Sequence, residues 1–400
     1  LTESRALSQS RDFAYAHPNF LIPKDYRKVL PKRRAPADEP HYTYQWHLTN
    51  DGRWGGSIGA DINANPAWLI TRGDRNIKIA VLDGGFEMNH PDLETAWAVN
   101  PDEIAGNNKD DDNNGYVDDV HGWNFYDNSN TPGTGLYSDH GTAVAGLAGA
   151  RVNGAGMAGV CPECSIIPVV AAWRPSDDAA AFYYAKSRGA QVITNSWGYP
   201  VGTPTTEVVE EAISAAATDS VILFAMNNIN QNDCIGNSPD ISSLDSVIAV
   251  SASSDEDLKV SFSAWGECME FVSPSFESKR PGIATTDLMG NRGYNNGRRE
   301  GDMEDLDYTK TFSGTSAATP IAAGVVGLML SANRDLKRDD AIALIITTTD
   351  KVHPDKAQYD PNSGFSHKYG YGRINAGKAV RAAQVFRKYT KKKPGKPSPL

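Results

Sequence analysis

Three segments of the 400-residue chain carry side chains suited to acyl transfer. Asp83 closes the apolar run 76–82 and precedes two glycines, His140 sits in Asp-His-Gly-Thr (139–142), and Ser316 lies in Thr-Phe-Ser-Gly-Thr-Ser-Ala-Ala-Thr-Pro (311–320). A serine attacks an amide only when a base takes its proton, and a histidine does so near neutral pH when a buried carboxylate fixes its tautomer. Singly these signals are weak. A strand-end Asp is commonly a cap, Asp-His-Gly can be a turn, and Ser-Gly-Thr-Ser suits a helix start. Their joint occurrence in this order is what requires explanation. A second concentration of chemistry is 107–119, NNKDDDNNGYVDD, where oxygen donors alternate about a glycine turn. Asp110, Asp112, Asn114, the Tyr116 carbonyl and Asp119 or Asp118 could wrap one Ca²⁺ much as an EF-hand loop does, although the closing glutamate of that motif is missing. So many carboxylates in one short run repel one another without a cation. The eight histidines show no zinc spacing.

These residues need strand ends and helix starts to hold them. Apolar strands are expected at 76–82, 165–171, 191–195, 220–225 and 246–252. Helices are expected at 139–150, 177–188, 205–217, 316–330 (entered through Pro320), 339–348 and 376–389. Such alternation implies an α/β fold, a mostly parallel sheet covered by helices on both faces. In that arrangement strand ends and helix starts converge on one edge, where sites form. The stretch 262–311 reads as loop-rich.

The composition is globular, with 40% hydrophobic and 22% charged residues. The formal charge is -10 but unevenly spread: residues 1–45 carry a net +3, residues 381–400 have seven basic side chains and no acid, and the remainder holds about -20. An acidic body disfavours nucleic acid and anionic membranes as partners. No apolar run reaches a membrane span; the longest, 321–330, stops at about ten residues. The chain starts at a leucine without a signal peptide, as expected of a processed or trimmed product. Four cysteines permit three pairings; Cys161–Cys164 with Cys234–Cys268 is preferred, free core cysteines being the alternative.

The segments IAVLDGGFEMNHPDL around Asp83, DHGTAVAGLAGA around His140 and FSGTSAATPIAAGVVGLML around Ser316 closely resemble the subtilisin-like serine peptidases, with a lean toward the kexin-like branch. Lesser matches at 42–48, 193–198 and 367–380 extend the resemblance over roughly 40–385. It implies a subtilisin-like three-layer sandwich, with Ser316 as nucleophile, His140 as general base and acid, and Asp83 as orienting carboxylate. Asn228, in Ala-Met-Asn-Asn (225–228), takes the place of the family's oxyanion asparagine. Asn227 stands where the family has glycine, and a left-handed turn is expected there.

By the same resemblance, substrate lies extended along Ser196, Trp197 and Gly198, and the first pocket lies between them and Ala225, Met226, Asn227 and Asn228. Kexin-like enzymes have a second Asp after the catalytic one and an acidic run after Ser-Trp-Gly-Pro; this chain has Gly84 and Tyr-Pro-Val-Gly-Thr. Asp233 and Asp240 could still make the pocket acidic, so a preference for Arg or Lys and a broad or apolar one both stay open. A second Ca²⁺ is implied on the Asp92 and Asn153 side chains and the carbonyls of Arg151, Ala155 and Met157, completed by Glu39. Residues 13–20 resemble the last strand of the family's inhibitory pro-domain.

The domains expected are 1–40, a propeptide remnant or N-terminal extension with a basic linker; 41–389, the catalytic domain; and 390–400, a basic, Pro-containing, disordered tail. The linker could equally be a surface arm held by the acidic body. The function expected is that of a secreted (or periplasmic), calcium-dependent serine endopeptidase acting on proteins or peptides, its site open to a propeptide or inhibitor. The alternatives are a broad degradative enzyme and a catalytically silent peptide-binding relative.

Overall fold

The computed structural model describes residues 34–235, 240–277, 282–299 and 301–390. The chain divides into two units, Leu1–Arg34 and Ala35–Leu400, and every element named below belongs to the second. The strand expected at 13–20, nearly all of the basic linker and the tail beyond 390 lie outside the described residues.

A short helix α1 (Ala64–Trp68) precedes the central strand β1 (Lys78–Asp83) and a two-residue strand β2 (Trp123–Asn124). Then come α2 (Ser138–Gly149), β3 (Ser165–Val170), α3 (Pro175–Ser187), β4 (Val192–Asn195), α4 (Glu207–Ala216), β5 (Val221–Ala225) and β6 (Ile248–Ser253). The chain continues through β7 (Met269–Pro274), β8 (Ile283–Thr286), β9 (Tyr308–Phe312), α5 (Thr315–Ala332), α6 (Arg338–Thr347), α7 (Pro354–Ala357) and α8 (Ala376–Thr390). Seven strands form one parallel sheet in the order β2-β3-β1-β4-β5-β6-β7.

Period-2 alternation along β1 explains the layers. Ile79 and Val81 face a core shared with α2, α5 and α8, while Ala80 and Leu82 face a second core shared with α3 and α4. The fold is therefore the expected three-layer α/β sandwich. Within α4, Val209, Ala212, Ile213 and Ala216 are buried at helical spacing, so one stripe docks on the sheet. Helix α5 lies between layers and needs small residues: a Cβ on Gly324 would stand 2.5 Å from Val160 Cβ. This 18-residue helix has a mean hydropathy of 1.4, enough by length and composition to cross a membrane, yet 83% of it is buried inside the fold. Here that composition reflects a core position.

Three expectations are corrected. The stretch 262–311 contains β7, β8 and β9. β8 and β9 pair antiparallel across a long insertion, 287–307, so no short-turn hairpin signal exists in the sequence. Pro320 does not open its helix; α5 begins at Thr315 and Pro320 lies inside it. Asn227 is not among the described residues with left-handed backbone; Asn230, at φ 49°, makes that turn instead. Both preferred disulfides are present, Cys161–Cys164 and Cys234–Cys268, and no described cysteine is free.

Candidate active site and cation sites

The C-terminal end of β1 carries Asp83, almost wholly buried. One of its oxygens accepts the Gly84 N–H at 2.7 Å, and His140 Nδ1 lies 2.9 and 3.0 Å from its two oxygens. This approach requires Gly141, because a Cβ there would stand 2.1 Å from the Gly85 carbonyl oxygen and 3.2 Å from Asp83 Cβ. The first turn of α2 can therefore press against the strand end. Burial draws the His140 pKa down, but the Asp83 charge and hydrogen bond outweigh it, and the net shift is upward. The ring packs edge-on against Phe312 at 5.4 Å.

Ser316 enters from the first turn of α5. Its Oγ donates to the Ser196 carbonyl at 3.2 Å, while Ser196 Oγ donates to the Ser316 carbonyl at 3.0 Å. Pro320 explains the second contact. Having no N–H, it leaves the carbonyl four residues earlier, that of Ser316, without its helical partner. The proline thus frees an acceptor that ties the start of α5 to the end of β4.

Asn228 Oδ1 accepts from Thr315 N–H at 3.0 Å and lies 3.2 Å from the Thr315 hydroxyl, which itself donates to the Met226 carbonyl at 2.5 Å. Donors occupy the amide oxygen, so the Asn228 amide N–H₂ is left as the free donor. Asn228, His140 and Ser316 line one cavity of about 440 Å³, walled by Phe262, Tyr294 and Phe312.

The other residues expected to contact substrate stand around Ser196. Trp197 is buried, its indole N–H donating to the Leu82 carbonyl and its ring packed against Trp173 and Phe224. It therefore supports the cleft from below. Gly198 forms one border: a Cβ there would stand 3.3 Å from Asp240 Oδ1. On one flank of the 196–198 segment is a cavity of about 530 Å³ lined by Asp83, His140, Tyr137, Trp173 and Tyr199. Another, of about 240 Å³, is lined by Pro200, Asn227, Asp233 and Asp240. Ala225 and Met226 are buried and contribute backbone. Burial raises the Asp233 carboxyl, and the neighbouring Asp240 charge adds to the rise. The aromatic wall of Tyr137, Trp173 and Tyr199 escapes sequence reasoning because its members come from three separate loops.

The 107–119 loop divides its carboxylates into two kinds. Asp118 accepts the N–H groups of Asn107 and Asn108, and Asp110 those of Asn114 and Gly115, so both cap backbone. Asp112 and Asp119 also converge with Glu103, one oxygen from each within 4.8 Å of the others, while Asp112 accepts the Asn114 N–H and Asp119 pairs with the buried Arg188 guanidinium at 2.9 Å and accepts the Tyr184 hydroxyl. Asn114 donates to both Asp112 and Asp119, as does Asn100, and Tyr116 packs its ring on Trp123 and Tyr184. Glu103 was absent from the sequence reading. The signal available was a glutamate just upstream of a loop lacking its own closing one. Glu103 Oε2 is buried and without a partner, as an oxygen facing a cation would be.

At the second place, Asp92 is fully buried, one oxygen accepting Met157 N–H and the other unpartnered. Burial pushes its carboxyl up to about 7, and the Glu39 charge adds to the push. Glu39 accepts Gly154 N–H, Asn153 Oδ1 accepts Ala155 N–H, and Arg151 N–H donates to the Asp92 carbonyl. An all-oxygen donor set suits Ca²⁺ at both places, with three converging carboxylates at the first and two at the second.

Residues 74–372 match the model of the Subtilase family. The chain is 32% identical over 367 residues to a calcium-dependent protease of Nostoc sp. (86% of this chain, 51% of that protein). It is 28% identical to the PC3-like endoprotease variant B of Hydra vulgaris (91% of this chain, 50% of that protein), which supports the kexin-like lean. It thus spans about half the length of these relatives. The crystal structure of a serine protease of Aeromonas sobria superposes with a TM-score of 0.71, covering 94% of this chain and 72% of that one; at 22% identity the likeness concerns the fold. With Asp83, His140 and Ser316 gathered at the sheet edge and the matched residues spanning all three, the chain belongs to the subtilase family.

Proposed function

We propose that the chain is a calcium-dependent serine endopeptidase in which Ser316 is the nucleophile, His140 the general base and acid, and Asp83 the group that orients His140. The observation that carries this reading is the convergence of the Asp83–His140 pair, Ser316 and the free Asn228 amide on one cleft. In turnover the Ser316 hydroxyl leaves the Ser196 carbonyl, gives its proton to His140 Nε2 and attacks the substrate carbonyl carbon. The oxyanion formed is met by the Asn228 amide, a donor worth about 3 kcal/mol in such sites. His140 then protonates the departing amine, and later activates the water that releases the acyl group. Substrate lies as an added strand along 196–198, which places successive side chains on opposite flanks.

A preference for Arg or Lys before the cleaved bond is supported by the small cavity in which Asp233 and Asp240 lie together, since a cationic side chain would relieve their repulsion. Calcium would be held at the two oxygen-rich places, by Asp112, Asp119 and Glu103 at one and by Asp92, Glu39 and Asn153 with neighbouring carbonyls at the other. Its part would be structural, neutralising crowded carboxylates, of which Asp119 already has a buried cation of the protein's own, Arg188 at 2.9 Å. Two disulfides fit an extracellular or periplasmic setting. Residues 1–40 are proposed as a propeptide remnant or N-terminal extension, and 41–389 as the catalytic domain. The test is Ser316→Ala. Peptidase activity should fall on the order of 10⁶-fold with an unchanged thermal transition; turnover surviving in this variant would exclude the mechanism.

A further inference from the structure

A further cavity of about 720 Å³ is lined by Lys259, Lys356, Lys368, Asp355, Trp265 and Tyr369 among others, and its Trp265 is joined by backbone hydrogen bonds to Gln231 and Asp233 of the acidic pocket. Its charged lining is opposite in sign to the body of the chain: three lysines against one aspartate. Lys356 and Lys368 are exposed, whereas Lys259 is built into the wall. The Lys259 ammonium donates to the Asn230 side-chain oxygen and to the Val260 and Ser263 carbonyls, and its backbone N–H donates to the Tyr369 hydroxyl. That ammonium is a fixed positive charge with its donors already engaged. Burial lowers its pKa to about 8, the Glu277 charge opposing the fall and the Lys368 charge adding to it. Trp265 and Tyr369 add an aromatic wall.

The cavity is joined to the active site by two short pieces of chain. Asn230 lies two residues beyond Asn228, and its N–H donates to the Phe262 carbonyl at 2.6 Å. Phe262 itself forms part of the wall around Ser316 and His140. The loop that puts Phe262 at the nucleophile therefore puts Lys259 and Trp265 in the basic cavity. The pocket bordered by Asp233 and Asp240 lies beside 198–203, whereas the Phe262 cavity is lined by none of 196–203; with substrate along 196–198 as proposed, the Phe262 wall falls on the departing side of the cleaved bond.

We infer that this cavity is an exosite for carboxylate side chains of a peptide substrate on the departing side of the cleaved bond. The inference rests on the peptidase reading for its place in turnover, but binding itself does not depend on it. Lys356 and Lys368 supply free ammonium donors at the rim, Lys259 holds the positive potential at the floor, and Trp265 gives the peptide an apolar surface. Attraction of this kind, between exposed charges, weakens with salt. The class of substrate favoured is one with acidic residues a few positions after the cleaved bond.

The experiment has two arms. In the first, a fluorescein-labelled peptide with four consecutive glutamates, and its glutamine counterpart, are titrated by anisotropy onto the full chain carrying Ser316→Ala. The glutamate peptide should bind about tenfold more tightly at low salt, and the double variant Lys356→Glu/Lys368→Glu should remove that difference. Lys337→Glu, an exposed reversal elsewhere, should not. In the second, kcat/KM is measured for substrates alike around the cleaved bond but ending in the two tails. The acidic tail should be favoured several-fold, through KM, in the parent and not in the double variant, with short untailed substrates turned over equally by both. Equal binding of the two peptides, or a preference that survives the double reversal, would overturn the exosite. A chain with no turnover that still discriminates the peptides would overturn the peptidase reading and leave the exosite standing.

Discussion

Asp83 and Asp92 lie nine residues apart, are both buried and both sit against the ends of α2, yet their surroundings differ. Asp83, before the helix, has its charge met by the Gly84 N–H and by an imidazole held at 2.9 and 3.0 Å. Asp92, packed on the loop after the helix, has one N–H, one unpartnered oxygen and Glu39 as a neighbour. A buried carboxylate balanced by the protein's own groups can serve chemistry, because its ionised form is the stable one. A buried carboxylate left unbalanced is costly, and the cost is lifted by neutralisation or by a cation. Asp233 and Asp240 are an intermediate case: crowded, but on a cavity that a substrate's cation can enter.

The contrast is tested most severely at the balanced carboxylate. Asp83→Asn should lower kcat about 10⁴-fold, since the tautomer and orientation of His140 are no longer set. The same variant tests the electrostatics. His140 must be neutral to act as a base, so the acid limb of the wild-type kcat/KM profile should lie above the usual histidine value of 6.5, where Asp83 outweighs burial. In the variant burial remains and Asp83's charge is gone, so the limb should move to lower pH. A limb that stays in place would show that another group governs it.

At the intermediate pair, Asp240→Asn should reduce kcat/KM for peptides cleaved after arginine by about 100-fold, roughly 3 kcal/mol. Peptides cleaved after leucine should be turned over as before. Equal losses on both would mean that Asp240 shapes the loop without reading the substrate.

The unbalanced carboxylate should affect rate least. Asp92→Asn should leave kcat near the parent value at low temperature while removing one calcium from the stoichiometry seen by titration calorimetry. Calcium at about 100 times its Kd would stabilise the parent by roughly 2.7 kcal/mol, a shift of several degrees in Tm, and the variant should forgo that gain. An unchanged calcium stoichiometry would remove Asp92 from the site.

Local patterns made much of this legible. The strand ending in Asp83, the helices opening near His140 and Ser316 and the acidic run 107–119 all follow from residues close in sequence, whereas the place at Asp92 was implied by the family resemblance. The failures depend on contacts that no single local motif contains. β8 and β9 were missed because the 21 residues of 287–307 separate them. The left-handed turn expected at Asn227 moved to Asn230 because Asn227 N–H is fixed by Asp233 and its carbonyl by Ala264. Glu103 was overlooked because the loop it closes begins after it.

Residue types, order and local spacing already determined the proposed reagents of this protein, a serine, a histidine and a carboxylate each at the mouth of an α/β unit, together with a dense run of carboxylates. Tertiary structure decided which oxygens are satisfied. It set Asp83 against His140, 57 residues away, and aimed the Asn228 amide into the cleft by occupying its oxygen with Thr315. It also joined the carbonyl released by Pro320 to Ser196, 120 residues from Ser316. Hydrogen bonds and charges act over a few ångströms, and only the folded chain brings such distant residues within that range.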